Sequence, residues 1–494
     1  MKMERKTMRK LFVVVILLLV CGVAGWAQTL SPAVQAFVKV NAPVVALTHV
    51  RVIDGTGAAA REDQTVVINR GKIEWVGDIA TAKFPEDAQV LDLRGYTVIP
   101  GLVGMHEHMF YPAGDAIFHE MAVSFPRLYL AAGVTTARTA GSIEPYMDLA
   151  LKREIDGGEV AGPHMHVTGP YLEGVGSWAP QMTALKTPEE AVATVNFWAD
   201  RGVDNFKAYN FITRAELKAA IEAAHKRGLK VTGHLCSIGF REAAGLGIDD
   251  LEHGITVDTE FFPGKKPDEC PAASFQGMME VAAKLTQMSV NDGPIQEMIR
   301  DLVEHHVAVT STLPVFELFV ADKAPLQPRV LQAMSQEARD QYLQTRVALD
   351  LPLRNPKTGE AIATPWGQMF KQEMEFERAF VKAGGLLLAG EDPTGIGGDL
   401  AGFGDQRELE LLVEAGFTPL EAIHIATYNG AQYLGELDRI GTIAAGKQAD
   451  LVVIKGDPSK KIEDIENVET VFKDGIGYDS GKLIESVRGL VGIR

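Results

Sequence analysis

The sequence predicts a parallel α/β fold, a (β/α)8 TIM barrel joined to a small β-sandwich that both chain ends build together. Two observations predict it. From about residue 98 to 435, short apolar strands alternate with helical stretches, which is how a parallel sheet with helical crossovers reads. On either side the chain instead shows runs of short strands and tight turns. The alternating part is long enough that a barrel explains it better than one open sheet. The expected organisation is a signal peptide over 1–27, sandwich strands over 28–97, the barrel over 98–435 and the remaining sandwich strands over 436–494.

The first element is a basic stretch, Lys2, Arg5, Lys6, Arg9 and Lys10, followed by an apolar run from Leu11 to Val23 and then Gly25-Trp26-Ala27. This is the layout of a secretory signal with small residues before the cut. The run is short for a bilayer span, so the expectation is an exported, secreted or periplasmic protein, free of the membrane after cleavage near Gln28. Among the terminal strands, Val45–Val50 meets the turn Asp54-Gly55-Thr56-Gly57, and Asn69-Arg70-Gly71 between Thr65–Ile68 and Lys72–Val76 reads as a hairpin. Ala449–Ile454 and Val468–Phe472 repeat that texture at the other end.

Within the barrel region, Val134-Thr135-Thr136, Met165–Thr168 and Lys230-Val231-Thr232 read as strands. Thr213 to Arg227 reads as a helix, with Ala215, Leu217, Ala220, Ile221 and Ala224 on one side and Gly228 closing it. The composition is that of a globular protein, 46% apolar and 23% charged, and the net charge of −17 makes nucleic acid an unsuitable partner. A small-molecule substrate is expected instead, and a homo-oligomer is left open. Once Cys21 leaves with the signal, Cys236 and Cys270 make no disulfide framework. A single bridge between them stays open, with the apolar strand around Cys236 counting against it.

In a TIM barrel the chemistry sits at the C-terminal strand ends. The first strand, Thr97 to Met105, ends in His106-Glu107-His108. Alternation turns both imidazoles one way and Glu107 the other. Two imidazoles so placed suit a divalent metal, and the spacing is not the helical H-E-x-x-H. Later strands end in Lys207, His234 and His253, and the last, Leu386–Gly390, ends in Glu391-Asp392. A lysine pointing into a barrel mouth is costly unless paired or modified.

These residues, with Val98-Ile99-Pro100-Gly101-Leu102-Val103-Gly104-Met105, Ala132-Gly133-Val134-Thr135-Thr136, Asp204–Lys207, Glu252-His253-Gly254 and Gly441–Leu451, resemble the amidohydrolase superfamily in its metal-dependent dipeptidase and imidazolonepropionase-like branch. The resemblance covers nearly the whole mature chain. It implies two divalent metal ions, zinc by preference. His106, His108 and Asp392 would hold one, His234 and His253 the other, and a carboxylated Lys207 would bridge them. It further implies amide hydrolysis of a dipeptide or N-acyl amino acid by a metal-bridging hydroxide. Asp392 would move the proton, and Tyr209, two residues after Lys207, would serve the oxyanion or pack at the rim. The alternative is a mononuclear enzyme acting on a cyclic amide or a ring C–N bond.

Departures from the branch are Ala137-Arg138-Thr139 in place of an Arg-Asp pair, Glu391 in place of a threonine, and Gly174–Trp178 in place of Gly-Gly-His. Phe110, Tyr111, Trp178, Phe261, Phe262, Phe316 and Phe403 either line an apolar pocket or pack the loops. His119 is expected in a helix after the first strand.

Overall fold

The computed structural model describes residues 30–112, 117–177, 179–321 and 326–493. The export expectation and Trp178 lie outside the described residues, and among these no helix is long and apolar enough to cross a membrane.

The chain opens with β1 (Val38–Val40), β2 (Val44–Val52), β3 (Arg61–Asn69), β4 (Lys72–Asp78), β5 (Gln89–Asp92) and β6 (Tyr96–Pro100). It continues through β7 (Leu102–Glu107), β8 (Phe110–Pro112), β9 (Phe118–Glu120), β10 (Val134–Thr139), β11 (His164–His166) and β12 (Asn205–Ala208). Then follow β13 (Lys230–Gly233), β14 (Asp250–Glu252), β15 (Ala308–Ser311), β16 (Leu387–Ala389), β17 (Leu451–Lys455), β18 (Val468–Lys473) and β19 (Ile476–Asp479).

Strands from both chain ends share one nine-stranded sheet, ordered β1-β19-β18-β17-β6-β2-β3-β4 with β5 on β2. The seam is antiparallel, Leu451 opposite Pro100 and Val453 opposite Val98. Alternation puts Val45, Leu47, Val66, Ile68, Val98, Leu451, Val453 and Phe472 into one buried cluster. Each such side chain contributes roughly 1.5–3 kcal/mol on leaving water. The β3–β4 hairpin closes through Arg70 and Gly71, both at positive φ (48° and 81°), the geometry that a two-residue turn requires.

The Thr97–Met105 stretch is not one strand. Thr97–Pro100 belongs to β6 in the terminal sheet, so the 97/98 boundary falls inside a strand. The chain breaks at Gly101, whose N–H donates to the Asp450 carbonyl at 2.8 Å, and the barrel begins with β7. An uninterrupted apolar run hides such a break, because both halves are buried.

The central region is TIM-barrel-like. Parallel strands run β11-β10-β7 in one sheet and β12-β13-β14-β15-β16 in another. Leu172 N–H donates to the Lys207 carbonyl (2.8 Å) where the sheets meet, and Asp392 N–H to the His106 carbonyl (3.0 Å) between the ends of β16 and β7. Gly390 makes this second approach feasible, since a Cβ there would run into the His106 backbone.

Helices cover the strands. Arg214–His225 starts at Thr213, whose side chain forms a capping box with Glu216. Leu217, Ala220, Ile221 and Ala224 are buried as expected. Ala215 is exposed, because the capping box turns Glu216 inward in its place. His119 is also not helical: β8 and β9 pair as a hairpin, with Tyr111 opposite His119. Cys236 and Cys270 are disulfide-bonded, their Cα atoms 4.9 Å apart. Cys236 lies three residues beyond β13, past the strand that counted against a bridge.

Candidate active site

The barrel strands place the expected residues around one cavity of about 550 Å³, lined by His106, His108, Lys207, Tyr209, His234, His253 and Asp392. His106 and Lys207 sit on β7 and β12. His234 and His253 directly follow β13 and β14, and Asp392 lies three residues beyond β16. His253 and Asp392 both occupy the left-handed region (φ 70° and 58°), which non-glycine residues enter at a cost. The backbone holds this strain where two side chains must turn inward.

Three imidazoles present Nε2 to the Asp392 carboxylate: His108 at 3.4 Å, His106 at 3.6 Å and His253 at 3.9 Å. The other nitrogens of His108 and His253 are hydrogen-bonded, whereas that of His106 has a close neighbour without a hydrogen bond. His108 Nδ1 lies 3.3 Å from the Gly141 carbonyl, His253 Nδ1 lies 2.7 Å from the Thr312 hydroxyl, and His106 Nδ1 faces Glu252 Oε2 at 3.1 Å. The Gly141 carbonyl can only accept, so it fixes the His108 tautomer that leaves Nε2 as a ligand, while the Thr312 hydroxyl can serve either tautomer of His253. Thr394 donates its hydroxyl to Asp392 at 2.7 Å.

Electrostatics point the same way. Burial, more than any neighbouring charge, lowers the pKa of His106, His108 and His253, and takes His234 down to about 3. These imidazoles are therefore neutral near pH 7, the form that binds metal. Burial raises the Asp392 pKa, yet the carboxyl is held below its usual range by the imidazoles that face it and by the Thr394 hydroxyl that donates to it. Burial raises the Tyr209 hydroxyl, so it stays protonated. Its ring stands 4.9 Å from those of Tyr171 and His234.

Donor atoms at ligand spacing occur in two groups here, His106–His108–Asp392 and His106–Glu252–His253. Nitrogen and carboxylate donors of this kind suit zinc, and also manganese or cobalt. His234 stands outside both groups, its ring 4.4 Å from that of His253. Lys207 is fully buried and ion-paired with Glu252.

The sequence reading missed the support beneath this cluster. Arg138 is buried, bonded to Asp250 at 2.9 Å and to Glu252 at 3.1 Å, and it also donates to the Met105 carbonyl. Acidic groups that the sequence reading found missing directly after the second strand are thus supplied from β14. Strand alternation in Asp250-Leu251-Glu252 was the available signal, since it sends both acids to one face. Glu107 faces away from the cavity, as expected, into a buried carboxylate cluster with Glu391 and Asp405. Of the aromatic candidates, Phe110 and Phe316 line the cavity, while Tyr111 accepts from Gly398 N–H and Phe403 packs in the core.

Comparison with known proteins supplies three findings. The sequence model of the Amidohydrolase family matches residues 97–262 and 385–477. Imidazolonepropionase from Idiomarina loihiensis is 38% identical over 63 residues, which is 13% of this chain and 15% of that enzyme, so the match spans a minor part of the relative. Two solved structures share the fold. One is a Xaa-Pro dipeptidase with bound methionine in its active site (TM-score 0.65, 21% identity, 88% of this chain and 100% of that one). The other is ochratoxinase from A. niger (TM-score 0.61, 18% identity, 89% of this chain and 96% of that one).

Proposed function

The chain belongs to the amidohydrolase family, and on that premise we propose that it is an exported, binuclear metal-dependent hydrolase cleaving an amide bond of a dipeptide or N-acyl amino acid. The observation that carries the reading is the convergence of three buried imidazole Nε2 atoms on Asp392. His106, His108 and Asp392 would hold one ion, His234 and His253 the second, with zinc as the preferred metal and a carboxylated Lys207 shared between them. The hydrogen bonds linking β16 to β7 and the Leu172 segment to β12 support a closed barrel, and the nine-stranded sheet is read with it as the β-sandwich.

A bound divalent ion supplies a water of lowered pKa and polarises a carbonyl. The chain's residues supply the rest. Asp392, the one carboxylate among the described residues of the cavity wall, takes the proton of the attacking water and passes it to the leaving amine. Tyr209 donates its hydroxyl to the developing oxyanion. Gly141 and Thr312 keep His108 and His253 oriented through hydrogen bonds, and Glu252 stands beside His106.

The Lys207–Glu252 ion pair favours a second reading, a mononuclear site with unmodified lysine acting on a cyclic amide or ring C–N bond. A panel of dipeptides, N-acyl amino acids and cyclic amides, assayed on purified protein before and after chelation and zinc return, separates the two. Chelator-sensitive cleavage of linear amides supports the proposal. Cleavage of cyclic amides alone supports the alternative, and turnover that survives chelation overturns both.

A further inference from the structure

The cavity that holds these residues is apolar on both sides of the centre. On one flank Phe110, Phe118 and Tyr171 pack as one cluster with Met182. On the other, Val315, Phe316, Phe319, Trp366 and Met369 meet Met278 from the helix Phe275–Leu285. The flanks reach the centre itself: Phe110 stacks on His108 at 4.4 Å, and Phe316 meets His253 edge-on at 5.6 Å. A bond positioned beside Asp392 therefore lies next to two imidazoles that are each backed by an aromatic ring of the wall. The Cys236–Cys270 bridge also lines the cavity and ties the loop after β14 to the strand end that carries His234.

Charge is confined to the centre. Outside His106, His108, Lys207, His234, His253 and Asp392, the described wall residues are apolar or neutral, with Asn210, Thr256, Thr259 and Ser274 as hydrogen-bonding groups. Asp392 and Lys207 are already engaged, with the imidazoles and with Glu252. Among the described wall residues, a substrate ammonium buried here finds no free carboxylate, and a substrate carboxylate finds no guanidinium. An aromatic face attracts a cation, but by less than desolvating an unpaired ammonium costs. Neutral amides lose nothing comparable, and their carbonyl can use the neutral polar groups.

From this we infer that the substrate is an amide with bulky apolar groups on both sides of the scissile bond and no free α-ammonium group, a capped or N-acyl compound rather than a free dipeptide. The inference rests on the amide-hydrolase reading for its chemistry and on the cavity wall for its selectivity. The test is a set of four compounds on one hydrocarbon skeleton: Leu-Phe, 4-methylpentanoyl-Phe, Leu-phenethylamide and 4-methylpentanoyl-phenethylamide. Binding is measured by calorimetry and turnover by product analysis, on the same zinc-loaded protein.

The two compounds lacking the ammonium should bind at least about tenfold tighter than their ammonium-bearing counterparts. Phe319→Ala, at a half-buried position away from the centre, should weaken the uncharged amide by about five- to tenfold. Met278→Glu should narrow the gap between the charged and uncharged compounds. Leu-Phe binding as tightly as its deaminated analogue, or Phe319→Ala leaving all four affinities unchanged, overturns the inference. Affinities in the expected order without cleavage of any compound uphold the selectivity and refute the hydrolase reading.

Discussion

Replacing Arg138 by methionine isolates the support beneath the centre. The guanidinium is 1% exposed and its partners Asp250 and Glu252 are 0% exposed. Methionine keeps much of the volume and removes the charge. Asp250 then retains the Thr310 hydroxyl, at 2.8–2.9 Å, and Glu252 retains Lys207 and His106. The Met105 carbonyl loses its Arg138 donors. Removing one partner of a buried ion pair costs about 3–5 kcal/mol, because the remaining charge stays buried. That sum is set by the two stranded carboxylates more than by lost packing. Urea unfolding followed by tryptophan fluorescence should show a loss of that size. Asp250→Asn should cost less in the Arg138→Met background than in the wild type, since the pair is then already broken. Metal content should fall as well, because Glu252 and the Met105 carbonyl on the strand that carries His106 both lose their Arg138 anchor. A cost under about 1 kcal/mol, or strict additivity of the two substitutions, refutes the claim that this triad supports the site.

Two further substitutions probe neighbouring parts. Asp392→Asn keeps the shape and loses the basic oxygen, so turnover should drop by about 10²-fold or more while metal content changes less; activity within a few-fold of wild type removes Asp392 from proton transfer. Cys270→Ser opens a loop of 34 residues' separation, worth up to about 4 kcal/mol in the chain-entropy account, and should lower stability and raise KM for bulky apolar amides; unchanged stability and KM would refute a restraining role for the bridge.

Local pattern carried much of this architecture. Strand alternation and strand ends located His106, His108, Lys207, His234, His253 and Asp392, and the cavity brings all six together. The helix beginning at Thr213 and the Arg70-Gly71 turn were equally legible, since each is decided within a few residues, but the capping box that turns Glu216 inward in place of Ala215 was not read. What stayed hidden was non-local. Arg138 meets acids 112 and 114 residues away, and nothing near Arg138 in sequence announces them. Trp366 and Phe319 stack on each other in the cavity wall from segments 47 residues apart that the strand-end pattern does not reach. The β6–β7 break was masked by continuous hydrophobicity, and the β8–β9 hairpin by its length of only three residues a strand.

The central claim is that the converging imidazoles and Asp392 form a divalent-metal centre shared through Lys207. Elemental analysis of active wild-type protein and of Lys207→Ala, purified without chelator, tests it most directly. The account predicts two metal ions per chain in the wild type. It predicts no more than one in Lys207→Ala, with low activity partly restored by acetate or formate occupying the vacated space. Active wild-type protein carrying no metal would contradict the centre altogether. Two ions retained in Lys207→Ala at full activity would contradict the bridge.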